Sequence, residues 1–232
     1  MIYEDEYAEE SVENGDFDIA IPFRLTLEDG KEPEVTVFPA FKKLAAEFLE
    51  KYRTADVIFT PEAIEWVRER VKPYMLERMF ALSDYGRDYF ENYRLKSVDE
   101  GLILPSTQLI DRFWILENLT GYDFDVMSRY GHICVGTVID GKIVSAACTN
   151  NPCDLDEPDE LGFEIGVETA EGYRGKGYAL SNCALLASAL ISRGRDVLYE
   201  CEAGNLASVR LIKKLGGVRF AKNFCVVAEK IG

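Results

Sequence analysis

The chain is 232 residues long and 47% apolar, enough for one large domain or two small ones with a substantial core. Its 26 Lys+Arg against 41 Asp+Glu leave a formal net charge of −15. That charge repels phosphate backbones and, with no basic patch in the sequence, sets aside general nucleic-acid binding. No apolar run approaches the ~18–20 residues a membrane helix needs, and the amino-terminal stretch is acidic rather than basic-then-apolar, so the expectation is a cytoplasmic protein with no membrane partner.

Residues 1–18 carry eight acidic side chains and no basic one, which predicts a solvated, partly disordered tail. From Ile19 to Phe38, short apolar runs broken by Asp29-Gly30 and Pro33 predict a hairpin or an irregular extended segment. Pro39 stands at a first-helical position, and Phe41, Leu44, Ala45, Phe48, Leu49 and Tyr52 repeat at helical spacing. Thr60-Pro61 opens a second predicted helix whose stripe is Ile64, Val67, Val71, Tyr74 and Met75, with Pro73 as a kink or break. A third is predicted from about Ser106 to Leu119. The first half thus reads as mainly helical and carries no chemical motif; it reads as scaffold or as the wall of an acceptor site.

The period then changes. Ile133 to Ile139 and Ile143 to Cys148 are β-branched runs joined by Asp140-Gly141, a two-residue hairpin signal. An acidic loop, 154–160, precedes a strand from Gly162 to Glu168, a glycine-containing turn from Gly172 to Gly177, and a helix with Leu180, Cys183, Ala184, Ala187, Leu190 and Ile191 on one face. A strand from Val197 to Glu202, a helix from Leu206 to Leu215 ended by Gly216-Gly217, and a strand from Phe224 to Ala228 follow. This order predicts an α/β layer with a mixed sheet.

The six cysteines are irregularly spaced, form no CxxC pair, and share the chain with one histidine, His132. That argues for reduced, mostly buried thiols rather than a disulfide framework, against a metal site, and against a histidine-based nucleophile mechanism. The informative stretch is Tyr173-Arg174-Gly175-Lys176-Gly177-Tyr178-Ala179, between a predicted strand and a predicted helix. A tight glycine turn at a helix N-terminus presents unpaired N–H groups to phosphate. Neither the P-loop nor the dinucleotide spacing is present. Taken alone, Arg-Gly-Lys-Gly also fits a plain surface turn.

The pattern Arg-x-x-Gly-x-Ala at 174–179 resembles the acetyl-CoA pyrophosphate motif of the GCN5-related N-acetyltransferases, the GNAT superfamily. Leu198-Tyr199-Glu200-Cys201 leading to Asn205-Leu206-Ala207-Ser208 is similar to the family's fifth strand and the start of its next helix. Phe163-Glu164-Ile165-Gly166-Val167 is similar to its fourth strand, and the helix ending Leu211-Ile212-Lys213-Lys214-Leu215-Gly216 to its usual closing segment. The strong resemblance spans about 162–217 and, with the preceding hairpin, about 129–229. It implies a GNAT-type mixed, mostly antiparallel sheet flanked by helices over 85–232, behind an acidic tail and mainly helical extension at 1–84.

Carried over residue by residue, the resemblance implies that the amides of Gly175, Lys176, Gly177, Tyr178 and Ala179 hold the pyrophosphate of acetyl-CoA and that Arg174 opens the turn. Val167 would pair its backbone with the pantetheine arm where the fourth and fifth strands splay. Asn205 and Ser208 would contact the same arm. Many members place a tyrosine at the position of Ile212 to protonate the leaving thiolate, and a phenylalanine at that of Gly217; both are missing here, and Tyr178 and Tyr199 read either as core or rim tyrosines or as substitutes for the acid. A carboxylate must take the proton from the attacking amine, and Glu164 is the first choice, then Glu168 and then Glu200. The expectation is a transferase acting on a small-molecule or peptide amine, with no metal and with homodimers common in the family. The loop 154–160 reads either as a solvated hairpin loop of an acidic protein or as a feature that steers a cationic acceptor such as a polyamine, a basic peptide N-terminus or an aminoglycoside. A GNAT-fold protein that binds CoA thioesters as a sensor or partner is the alternative, and a purely structural protein, binding no CoA, a third.

Overall fold

The computed structural model describes residues 1–110, 115–116, 132–150 and 162–232; the acidic loop 154–160 lies outside them. Two compact units emerge: Met1–Asn92 with Cys201–Asn205 and Phe220–Gly232, and Tyr93–Glu200 with Leu206–Arg219.

In the first unit the acidic N-terminus is ordered, contrary to the expectation from composition. It forms β1 (Ile2–Glu4) and α1 (Glu6–Asn14). β1 pairs in parallel with β3 (Glu34–Val37), from Ile2↔Val35 to Glu4↔Val37. Asp5 caps α1 by accepting from the Ala8 N–H at 3.0 Å, which satisfies one of the donors a helix start leaves open. Val12 is buried, while several acids find partners: Glu4 with Lys42 at 2.6 Å, Glu13 with Arg78 at 2.9 Å, and Glu9 with the Tyr74 hydroxyl. The charges sit on the outer faces, and a few apolar anchors on the inner face suffice once a sheet edge is available.

The hairpin is β2 (Ile19–Glu28) with β3. A single 3-10 turn at Pro39–Phe41 leads into α2 (Lys42–Lys51), and α3 (Ala55–Ile58) precedes α4 (Pro61–Glu77). The Thr60 hydroxyl caps α4 through the Ala63 N–H at 3.3 Å. α4 runs on through Pro73. The carbonyl that this proline leaves without its helical donor belongs to Glu69, an exposed residue on the helix. β4 (Phe80–Leu82) and the last strand, β12 (Val218–Lys230), complete a sheet of order β1-β3-β2-β12 with β4 against β12. Its core is aromatic: Phe23 stacks on Phe224 at 5.6 Å, and Phe48 meets both at 5.8 Å.

β5 (Phe90–Leu95) and β11 (Val197–Glu202) run from one unit into the other. The second unit holds β6 (Thr107–Leu109), β7 (Ile115–Leu116), β8 (Cys134–Ile139), β9 (Lys142–Thr149) and β10 (Phe163–Thr169), with α5 (Tyr178–Ile191) and α6 (Leu206–Lys214). Strand order is β11-β10-β9-β8-β6 with β7 beside β9, antiparallel except at β10/β11 and β7/β9. Asp140 and Gly141 turn the β8–β9 hairpin at φ 49° and 77°, the left-handed pair a type I′ turn requires.

The helix expected over 106–119 is not formed where the chain is described. Thr107–Leu109 and Ile115–Leu116 are strands instead. β8 needs a partner on its open edge, and it takes one through Ile110 N–H to Cys134 O at 2.9 Å and Val138 N–H to Ser106 O at 3.1 Å. Sheet pairing overrides a short apolar pattern that fits either period. Among the described residues, five cysteines are buried free thiols, and no helix is long and apolar enough to cross a membrane.

Candidate cofactor cleft and active-site strand

β10 and β11 pair over two residues, Phe163↔Val197 and Glu164↔Leu198, whereas on its other edge β10 pairs with β9 from Ile165 to Thr169. The backbone directions follow from two bonds. Phe163 N–H donates to Asp196 O at 2.9 Å on the β11 side, and Glu164 O accepts from Asn150 N–H at 2.8 Å on the β9 side. Because backbone groups alternate between strand edges, Ile165 and Val167 present N–H and C=O toward β11, and Val167 lies beyond the point where that ladder ends. Val167 therefore stands where an extended ligand can add to the strand.

The turn after β10 is built by glycine. Gly175 has φ 76° and Gly177 φ 84°, left-handed conformations that L side chains rarely adopt. A Cβ at either would meet nothing within 4 Å, so both face open space. Gly177 is the N-cap of α5 and supplies no side-chain cap. The helix's first bond is Ser181 N–H to Gly177 O at 3.0 Å, leaving the N–H groups of Tyr178, Ala179 and Leu180 without intrahelical acceptors. Arg174 is pinned: its Nε donates to Thr169 O at 3.1 Å, tying the turn to the end of β10. The Lys176 ammonium lies 4.8 Å from the Tyr173 ring centroid.

These parts line a cleft of about 400 Å³ that includes Val167, Arg174, Gly175, Gly177, Tyr178, Ala179 and Ser208. Lys176 lies on the turn without lining the cleft. Asn205 stands one residue before α6, its N–H donating to Glu202 O at 2.9 Å, and is also not a lining residue. Sequence reasoning missed Arg210 and Lys214, which line the cleft from α6. Their i, i+4 spacing placed both on one helix face, and that was the available signal. A cleft of this size with open amides and cations suits a phosphorylated ligand.

Glu164 and Glu168 lie on the face of β10 opposite Val167, by strand alternation. Glu164 is half-buried and accepts from Asn150 Nδ2 at 2.9 Å. Burial, and then the charge of Glu200, push its pKa above the usual carboxylate range, while the Asn150 bond pulls the other way. Glu200, two residues past the Leu198 partner of Glu164, shares its sheet face. Gly166 lies between the two glutamates: a Cβ there would lie 2.7 Å from Asn150 Oδ1, so any larger residue would displace the Asn150 amide from its place over the strand. Ile212 is fully buried and Tyr199 nearly so.

The family model for GNAT acetyltransferases matches residues 27–223. No curated protein matches the sequence significantly. Solved structures similar to it include a GCN5-related N-acetyltransferase-like protein from Streptococcus suis, with 20% identity, 68% of this chain and 67% of that one covered, and a TM-score of 0.47. Others are a GCN5-related N-acetyltransferase from Sphaerobacter thermophilus (12%, 85% and 72%, 0.45) and the Salmonella typhimurium protein yncA, solved with its cofactor acetyl-CoA (16%, 54% and 93%, 0.38). With the family model spanning most of the sequence, this chain belongs to the GNAT acetyltransferase family.

Proposed function

We propose that the protein transfers an acetyl group from acetyl-CoA to a primary amine of a small molecule or peptide, by direct attack in a ternary complex. The observation that carries this reading is the open, amide-rich turn at Gly175–Ala179 in one cleft with Val167, at the end of a strand pair that stops after two residues. Bound acetyl-CoA would supply the activated thioester. The amides of Gly177 to Leu180 and the cations Arg210 and Lys214 would hold its phosphates, and the Val167 backbone its pantetheine arm.

An alkyl amine is mostly protonated at pH 7 and must lose a proton to attack. Glu164, with a raised pKa, is the proposed base and Asn150 its orienting partner. No tyrosine stands at 212, but a thiolate is a good leaving group, with a thiol pKa of about 8.5, so transfer needs no dedicated acid. Titration calorimetry with acetyl-CoA on wild type and Gly177→Trp tests the site: binding that the substitution abolishes supports it, and no binding to the folded wild type refutes it. A CoA-thioester sensor is the second reading, favoured by the buried Ile212. Thiol release with a panel of amines separates the two, because a sensor binds acetyl-CoA without turning it over.

A further inference from the structure

Beneath the turn runs a chain of polar side chains, three of them fully buried, that the acetyl-transfer reading does not use. The Thr137 hydroxyl on β8 donates to Asn182 Oδ1 at 2.9 Å, and Asn182 Nδ2 donates to Ser145 Oγ on β9 at 3.0 Å. Ser145 Oγ reaches the end of β10 twice, at Glu168 O (3.0 Å) and Thr169 Oγ1 (2.8 Å). The Thr169 carbonyl then takes the Arg174 Nε–H at 3.1 Å. One proton arrangement satisfies every member: Thr137 to Asn182, Asn182 to Ser145, Ser145 to the Glu168 carbonyl, and Thr169 to Ser145. Thr137, Ser145 and Asn182 each have 0% exposure, so the two bonds that Asn182 makes lie away from water, where an unmade one is costly, while the bonds at Thr169 and Arg174 lie nearer the surface.

The geometry points to Asn182 as a positioning residue for the cofactor turn. The turn is hung between two supports, the end of β10 and the N-terminus of α5, and this chain is the directional link between them. Apart from Asn182 itself, and Ser181, which bonds Leu104 and Thr107 rather than β8 to β10, the buried face of α5 is apolar: Cys183, Ala184, Leu186, Ala187 and Leu190. Such a face packs against a sheet without fixing rotation or axial position, since apolar contact is non-directional. A buried amide with both ends satisfied does fix them. Asn182 lies one turn past the open amides of Tyr178–Leu180, so a rotation of α5 would swing those donors away from the phosphate path while β10 and Arg174 stay in place.

The inference rests on the acetyl-CoA reading, and its test separates the two. Dissociation constants for CoA are measured by calorimetry well below the melting temperature, alongside thermal melts, for wild type, Asn182→Leu, Ser145→Ala and Ser181→Ala. Ser181 is the control: it is buried on the same helix, but it bonds Leu104 N–H (2.7 Å) and Thr107 Oγ1 (2.6 Å) and is not part of the chain to the turn. Asn182→Leu and Ser145→Ala are expected to weaken CoA about 10-fold or more, whereas Ser181→Ala lowers the melting temperature with CoA affinity within about 2-fold of wild type. Should Asn182→Leu fail to fold, Ser145→Ala carries the same expectation alone. Lower melting temperatures with unchanged CoA affinity in all variants, or equal losses of affinity in all three, would overturn the positioning role. No CoA binding to the folded wild type would remove the cofactor reading and this inference together.

Discussion

At the scale of one residue, the proposed base, Glu164, offers the sharpest test. Its carboxyl is pushed up first by burial and then by the negative charge of Glu200, and is restrained by the hydrogen bond from Asn150. A base must be ionised to act, so activity falls as pH drops through this raised pKa, and the acid limb of the pH–rate profile lies above the ordinary carboxylate range. Removing the neighbouring charge with Glu200→Gln lowers the Glu164 pKa and moves that limb to lower pH. Asn150→Ala removes a bond that favours the ionised form and moves it to higher pH. Profiles of kcat/KM for the two variants check the opposite signs, and displacement in the same direction would refute the assignment of the limb to Glu164. Glu164→Gln itself is expected to lower kcat by about 10²–10⁴ with acetyl-CoA affinity retained, the range for loss of a general base. Gly166→Ala acts on the same group at one remove: a Cβ 2.7 Å from Asn150 Oδ1 displaces the orienting amide, and its acid limb should follow that of Asn150→Ala.

Among elements, α6 and the turn after it explain both departures from the family pattern together. Gly217 N–H donates to Ile212 O at 2.9 Å, and a Cβ at 217 would lie 2.6 Å from Ile212 Cγ1 and 3.0 Å from Ile212 O. A fully buried Ile212 thus requires glycine at 217, so the missing tyrosine and the missing phenylalanine are one packing solution. Gly217→Ala should cost about 1–3 kcal/mol by overpacking. Chemical denaturation reads it, and a second substitution, Ile212→Ala, should make the change at 217 less costly than it is alone, since sites in contact are not additive. The same scale shows what a strand can hide. Residues 107–109 form the partner of β8, and no local pattern announces that requirement.

Across the whole molecule, a chain of net charge −15 places Arg174, Arg210 and Lys214 around one cleft. Against that background the local cations matter for an anionic ligand. Arg210→Glu combined with Lys214→Glu is expected to weaken acetyl-CoA about 10-fold at low salt, with the gap to wild type narrowing as ionic strength rises, because exposed charges are screened. Affinity measured at several salt concentrations checks this, and a gap independent of salt would refute an electrostatic role.

The glycine turn at 175–177, its flanking strand and helix, and the hairpin at Asp140-Gly141 were legible in the sequence, because each depends on local chemistry: left-handed glycines, a helix start without a side-chain cap, alternating apolar residues. The ordered acidic N-terminus and the strands at 107–109 and 115–116 were not, since β1 and α1 are held by β3, Lys42, Tyr74 and Arg78, far along the chain, and β6 by β8. Composition counts charges but not the faces on which they lie. The pairing of Glu164 with Asn150 and Glu200, the cations of α6 in the cleft, and the buried path through Asn182 were decided by tertiary structure alone, because they join residues from separate elements and short-range periodicity carries no information about which elements meet.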